Sequence, residues 1–147
     1  MSGSGESPYI PIPPQTLAPG AMPDSLTLPD SALWIEGKRI EEGDVAYVDD
    51  PWDGERLGSL VIANEMQADR AALAAKAAFE TTRRMPSYAR RRLLEEIASR
   101  LADAKEELAT LIEHEAGKPK TLARFEVDRA ITTFWLGAEE ATRIGGE

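Results

Sequence analysis

The residue whose type and surroundings point most directly to binding chemistry is Arg129. At helical spacing it falls among Leu122, Phe125 and Leu136, and we call this set the Arg129 face. A guanidinium among apolar residues needs either a route to water or an anion, because burying an unpaired charge is costly. One interpretation is a side chain that extends along the apolar surface to solvent or a backbone carbonyl. The other is a binding group for a carboxylate or phosphate, which a guanidinium contacts with two parallel hydrogen bonds.

The helix that must position Arg129 is predicted to begin at the Gly117-Lys118-Pro119 corner. Gly117 can adopt the left-handed conformation that ends one helix, and Pro119 suits the first turn of the next. Helical periodicity then continues to about Ile144, before two glycines. The opposite side of this helix carries a second apolar stripe, the inner stripe, which consists of Ala123, Val127, Ala130, Ile131, Phe134, Ala138 and Ala141. Because apolar residues occupy two faces, both are expected to be covered.

The residue composition excludes several kinds of chemistry. The 147 residues include no cysteine, which excludes a cysteine nucleophile and a thiolate metal site within them. His114 is the single histidine, so a histidine-rich metal site is excluded, and we expect it to be a surface residue near a helix C-terminus. Neither a phosphate-binding loop nor a Gly-x-Gly-x-x-Gly turn is present. We therefore predict no catalytic, cofactor-binding or metal-binding residue.

The net charge and the hydropathy pattern limit the classes of partner that this chain can have. The 26 acidic residues outnumber the 17 basic ones, giving a net charge of −9, which disfavours nucleic acid as the main partner. The first residues, MSGSGES, lack the basic start and apolar run of a signal peptide. No stretch approaches the roughly 20 apolar residues that a membrane span needs. We expect a cytoplasmic protein with no membrane partner.

The first half of the chain divides into an arm and a β-rich segment. Residues 1–31 contain seven of the ten prolines and are predicted to be a disordered, proline-rich arm. Residues 32–62 alternate β-rich runs with turn signals, of which Asp53-Gly54 is the clearest, and predict a β-hairpin or short meander.

Three main helices are predicted after residue 62. The first is expected to start at Asn64, since Gln67 three residues later completes a capping-box pattern. Its alanine-rich stripe, which includes Phe79, suggests close packing against a neighbouring element. Ser87 is the expected cap of the second helix, which runs to Glu115 with a break expected at residues 102–104. The predicted fold is thus mainly α with an N-terminal β-hairpin.

The order of these features resembles the N-terminal part of the aldehyde dehydrogenase superfamily over about residues 32–147. The resemblance rests on WIEGKRI, VDDPWDGERLGSL, the alanine-rich helix and AEEATRIGGE. Two further elements, Glu115 to Pro119 (E-x-GKP) and Glu126 to Phe134 (EVxRAI-x-TF), are most similar to the branch that contains lactaldehyde, phosphonoacetaldehyde and non-phosphorylating glyceraldehyde-3-phosphate dehydrogenases. The implied parent fold is α/β, of which residues 32–147 form the N-terminal part of the NAD-binding domain without its dinucleotide-binding sheet.

This resemblance implies oxidation of an aldehyde to an acid with NAD or NADP, by a cysteine and a glutamate that lie further along the chain in the family. The polypeptide alone is therefore expected to be inactive and to need the remainder of the chain or another subunit as its partner, in an oligomer. In branch members that take anionic aldehydes, the arginine matching Arg129 contacts the anionic group. The alternative is a helical protein-interaction module without catalytic activity.

Overall fold

A computed structural model describes residues 31–144, so most of the predicted arm and the two glycines after Ile144 lie outside the described residues. The elements follow in the order β1 (Leu33–Ile35), β2 (Lys38–Ile40), β3 (Asp44–Asp49), β4 (Arg56–Ile62), α1 (Glu65–Thr82), α2 (Ser87–Asp103), α3 (Lys105–Ala116) and α4 (Lys120–Glu140). Ser31, at the end of the predicted arm, forms an isolated parallel bridge with Leu60. The chain is mainly helical with antiparallel hairpins, as predicted.

The β-rich segment forms two separate two-stranded sheets rather than a single hairpin. Strands β1 and β2 are joined by Glu36 and Gly37, which both have positive φ (56° and 70°), the geometry of a tight hairpin turn. Strands β3 and β4 are joined by the turn that starts at Asp50, and Gly54 closes this turn at φ 78°. Its N–H donates to the Asp50 carbonyl at 2.9 Å.

Helix α1 begins with the predicted capping box. The Gln67 N–H donates to Asn64 Oδ1 and the Asn64 N–H donates to Gln67 Oε1, both at 2.9 Å. The Gln67 amide also donates to the Glu42 carbonyl at 2.7 Å, which ties the helix start to the strands. Helix α1 nevertheless contains no buried residue, and Phe79 is exposed, so the close packing expected of its alanine-rich stripe is absent among the described residues.

Helices α2 and α3 are separated by a break at Ala104, where a break was predicted, so four helices replace the three expected. Ala104 has φ −92° and ψ 11°, outside the regular helix. The predicted cap at Ser87 is wrong by one residue. Pro86 takes the N-cap position because its extended backbone places its carbonyl to accept the N–H groups of Ala89 and Arg90. Ser87 is then the first helical residue and makes no side-chain cap.

Helix α4 packs against α2 and α3 through its inner stripe. Gly117 ends α3 at φ 60°, as predicted, and α4 runs to Glu140, a few residues short of the predicted end. Most residues of the helical core are small, which lets the helix axes approach closely; they are Ala98, Ala109, Ala123, Val127, Ala138 and Ala141. No helix in residues 31–144 is long and apolar enough to cross a membrane.

Candidate functional site

Arg129 lies on the outer side of α4, in an open surface groove of about 640 Å³. The groove follows one helical face from the start of α4 and is lined by Lys118, Leu122, Phe125, Glu126, Asp128, Arg129 and Thr132. The spacing of these residues after Lys118, three or four positions apart, is what brings them onto one face. The groove therefore combines two cations, two carboxylates and an apolar floor.

The Arg129 face is uncovered over the described part of the chain. Leu122 is 54%, Phe125 73% and Leu136 57% exposed, whereas Val127 on the inner stripe is 3% exposed. The expectation that both faces of α4 are covered is thus correct only for the inner stripe in residues 31–144. An apolar helix face with this much exposure is typical of a surface that packs against another structure.

The acidic residues of the groove are each engaged by a lysine. Lys118 Nζ lies 2.5 Å from Glu126 Oε1, and Lys105 Nζ lies 2.7 Å from Asp128 Oδ1. The hydrogen bond from Lys118 lowers the pKa of Glu126, and the charges of Lys118 and Arg129 act in the same direction against a partial desolvation. Each carboxylate is therefore paired with a lysine ammonium group.

Arg129 is the groove cation that has no carboxylate partner among the residues that the structure describes. Within residues 31–144, its guanidinium makes no ion pair within 4.0 Å. Its backbone carbonyl accepts a hydrogen bond from Thr133 Oγ1 at 2.8 Å, and its side chain lines the groove. The side chain is exposed, so both interpretations from the sequence, hydration of the charge and binding of an anion, agree with its position.

Lys118 was not recognised from the sequence as a neighbour of Arg129. The two residues are eleven positions apart. The left-handed Gly117 and the following proline turn the chain at the start of α4, and Lys118 lines the same groove as Arg129. One sequence signal could have led to Lys118. The i, i+3 spacing of Glu126 and Arg129 places a carboxylate beside the guanidinium on the helix surface, and Lys118 binds that carboxylate.

A second polar constellation joins the β3–β4 turn to the end of α3. His114 Nδ1 lies 2.8 Å from Asp50 Oδ2, while Asp50 Oδ1 accepts the Trp52 N–H at 2.8 Å. Asp50 is only 7% exposed, and its pKa is lowered by the Trp52 hydrogen bond first and the His114 hydrogen bond second. His114 is thus near a helix end, as expected, but it is half-buried and paired. Because 64 positions separate the two residues, their pairing had no local sequence signal.

The described residues were also compared with the arrangements that hold a metal ion or a dinucleotide. They contain no group of three or more histidine, cysteine or acidic residues arranged to hold a metal ion. Their two sheets are antiparallel, and neither has the parallel strand and glycine-rich turn that receive a dinucleotide. Residues 31–144 therefore do not fit a dinucleotide by themselves.

Known proteins of one family match this chain over most of its length. The model of the "Aldehyde dehydrogenase family" matches residues 34–147. Lactaldehyde dehydrogenase from Methanocaldococcus jannaschii is 33% identical over 106 residues, which are 72% of this chain and 23% of that protein. The 3-sulfolactaldehyde dehydrogenase from Pseudomonas putida is 30% identical over 115 residues, which are 78% of this chain and 23% of that protein.

The fold has equally clear counterparts among solved structures. NADP-dependent glyceraldehyde-3-phosphate dehydrogenase from Bacillus halodurans C-125, solved with NADP, superimposes with a TM-score of 0.77 at 30% identity. That superposition covers 82% of this chain and 26% of the other. The chain therefore spans about a quarter of the length of the proteins that it matches.

Proposed function

Because the chain belongs to the aldehyde dehydrogenase family, we propose that it forms part of an enzyme that oxidises an aldehyde to a carboxylic acid with NAD or NADP. The observation that carries this proposal is the family match over residues 34–147, which includes all four helices and all of both hairpins except Leu33. In such an enzyme the dinucleotide supplies the hydride acceptor.

Residues 32–147 are proposed to form an N-terminal part of the NAD-binding domain, with a structural role and a role in substrate recognition. A thiolate nucleophile cannot come from this polypeptide, because it has no cysteine. The catalytic cysteine, the catalytic glutamate and the dinucleotide-binding sheet are proposed to belong to the remainder of the chain or to another subunit. The polypeptide alone is then inactive.

The uncovered apolar surfaces support this division. Helix α1 exposes Met66, Leu73 and Phe79, and α4 exposes the apolar members of the Arg129 face. Leaving such surfaces in water is unfavourable by roughly 25 cal/mol for each Å² that could be buried. We propose that they pack against the remainder of the enzyme.

Arg129 is proposed to bind the anionic group of the aldehyde. Within residues 31–144 it is the groove cation without a carboxylate partner, and it lies beside the apolar side chains of Leu122 and Phe125. Two of the matched proteins are named for aldehydes that carry a sulfonate or a phosphate. This supports placing the chain in the branch that includes lactaldehyde and glyceraldehyde-3-phosphate dehydrogenases, with a small anionic aldehyde as substrate.

The activity is tested by following NAD or NADP reduction with 3-sulfolactaldehyde and with neutral lactaldehyde. We expect no turnover by the 147-residue chain alone, and turnover when it is mixed with, or joined to, the remaining portion of a related enzyme. Turnover by the chain alone would contradict the proposed division, whereas failure of every combination would count against the activity itself.

The role of Arg129 is tested in the active combination. Arg129→Ala should raise KM for the sulfonated aldehyde by about tenfold, because charge-assisted hydrogen bonds are lost, with little change for the neutral aldehyde. Arg92→Ala is the matched control, since Arg92 is an exposed arginine of α2 outside the groove. Equal effects of Arg129→Ala on both aldehydes would indicate a packing role.

The helical interaction module is the second candidate, and the same exposed surfaces favour it. It predicts a cooperative thermal transition and a defined species in size-exclusion chromatography for the chain alone. The enzyme-part proposal predicts dye binding and self-association, because the apolar faces of α1 and α4 have no partner.

A further inference from the structure

We propose that Lys118 is a positioning residue for the Arg129 site. By binding Glu126, it keeps that carboxylate from pairing with the guanidinium one helical turn away. The inference rests on the anion-binding role proposed for Arg129. It assigns to the Lys118–Glu126 ion pair the role of leaving the Arg129 guanidinium available to an anion.

The competition follows from helix geometry. Glu126 and Arg129 are three positions apart on α4, a spacing at which opposite charges on a helix surface normally pair. In the structure Glu126 Oε1 instead lies 2.5 Å from Lys118 Nζ, and no carboxylate of residues 31–144 pairs with Arg129. Arg129 is close enough for its charge to contribute to the lowered pKa of Glu126, so the alternative partner is within electrostatic reach.

The fixed backbone around Lys118 explains why Glu126 pairs with Lys118 and not with Arg129. Lys118 lies between Gly117, which holds φ 60°, and Pro119, and its N–H donates to the Glu113 carbonyl at 3.2 Å. The backbone that carries the lysine is therefore fixed before the side chain finds a partner. Less conformational entropy is lost when the pair forms than for two residues on a flexible surface.

The second carboxylate of the groove is engaged in a similar way. Asp128 precedes Arg129 and is bound by Lys105, from the first turn of α3, at 2.7 Å. Both acidic groups near Arg129 are thus bound by lysines from outside α4, and an incoming anion meets a guanidinium that needs no prior separation from a carboxylate. A direct contact between Lys118 and the anion is the rival explanation.

The test uses the 147-residue chain, with propane-1-sulfonate as the probe and dimethyl sulfone as its neutral counterpart at constant ionic strength. Affinity is taken from an NMR titration of the Arg129 side-chain Nε–H. The exchange rate of that proton with water is measured before the probe is added. The variants are Lys118→Met, Glu126→Gln and their combination. Lys120→Met is the matched control, because it removes the same charge nearby from a lysine that does not line the groove.

We expect Lys118→Met to weaken sulfonate binding by about two- to threefold and to slow the exchange of the Arg129 proton, because Glu126 then pairs with Arg129. Adding Glu126→Gln should restore both the affinity and the exchange rate, and Lys120→Met should alter neither. A doubly substituted chain that stays weak would overturn the inference in favour of direct contact. Unchanged exchange in Lys118→Met would also overturn it.

Failure of the proposed function is distinguishable from failure of this inference. If Arg129→Ala leaves the sulfonate-induced shifts of the surrounding backbone amides unchanged, the anion-binding role is wrong. The exchange rates of the Arg129 proton in the other variants still decide whether Lys118 controls the partner of Glu126.

Discussion

Truncating a side chain should destabilise the chain on one face of α4 and have almost no effect on the other, and this difference tests the packing most directly. Val127→Ala removes two methyl groups from a side chain that is 3% exposed and packs with Ala109 and Ala123. Phe125→Ala removes a whole aromatic ring from a side chain that is 73% exposed. The smaller deletion is expected to cost far more.

The magnitudes follow from the burial of each side chain. Each buried methyl group of Val127 contributes about 0.8 kcal/mol, and the small cavity left behind adds to this, so Val127→Ala should cost about 2 kcal/mol. Phe125 is about one quarter buried, which corresponds to about 0.5 kcal/mol of transfer free energy. The better helix propensity of alanine offsets about the same amount, so Phe125→Ala should leave the free energy of unfolding nearly unchanged.

Urea unfolding followed by the circular dichroism of the helices measures both values. For a domain of this size, a loss of about 2 kcal/mol lowers the midpoint by about 1–2 M, which is easily resolved. A Phe125→Ala effect as large as that of Val127→Ala would refute the exposure of the Arg129 face, and a negligible Val127→Ala effect would refute the assignment of the inner stripe to the core. In the complete enzyme, by contrast, Phe125→Ala should become destabilising if the Arg129 face is covered there.

Two further predictions concern the turn that starts at Asp50 and the corner it contacts. Gly117→Ala should lower the free energy of unfolding by about 1.5 kcal/mol and Gly54→Ala by about 1 kcal/mol, since both have positive φ but only a Cβ on Gly117 would approach Pro51 Cγ, at 3.0 Å. Equal losses in urea titrations would show that the contact with Pro51 is unimportant. The pKa of Asp50 is lowered chiefly by the Trp52 N–H, so its stabilisation is present above about pH 4 and is lost as the pH falls through its folded-state pKa. Asp50→Asn should therefore weaken the dependence of the urea midpoint on pH in the acid range, and an unaltered dependence would count against it.

Features set by neighbouring residues were predictable from the sequence. The capping box of Asn64 and Gln67, the left-handed Gly117 and the break near Ala104 each depend on a few adjacent residues, and all three are confirmed. The inner stripe was also predictable, because burial of one helix face leaves a periodic pattern. The cap at Ser87 was misplaced since a preceding proline already supplies the extended backbone that an N-cap requires.

Features set by distant residues were not predictable in the same way. The pair of Asp50 with His114 depends on how the β3–β4 turn meets the end of α3, and the pair of Lys118 with Glu126 depends on the direction in which α4 leaves the Gly117 corner. The exposure of the Arg129 face had no sequence signal either, because the same periodicity describes a stripe that is covered and one that awaits a partner. Arg129 itself was identifiable because a charge interrupts an apolar pattern, and its role stays a prediction.

The absence of buried residues in α1 makes this helix a separate unit of local unfolding. It is joined to the first hairpin by an ion pair of 2.6 Å between Arg70 and Glu36, and to the connection between β2 and β3 by the hydrogen bond from Gln67 to the Glu42 carbonyl. Both contacts are on the surface. Such contacts are weak compared with the packing of α2, α3 and α4. In limited proteolysis of the chain alone, trypsin should cut first in or just after α1, at the exposed Lys76, Arg83 or Arg84, and leave α2, α3 and α4 intact.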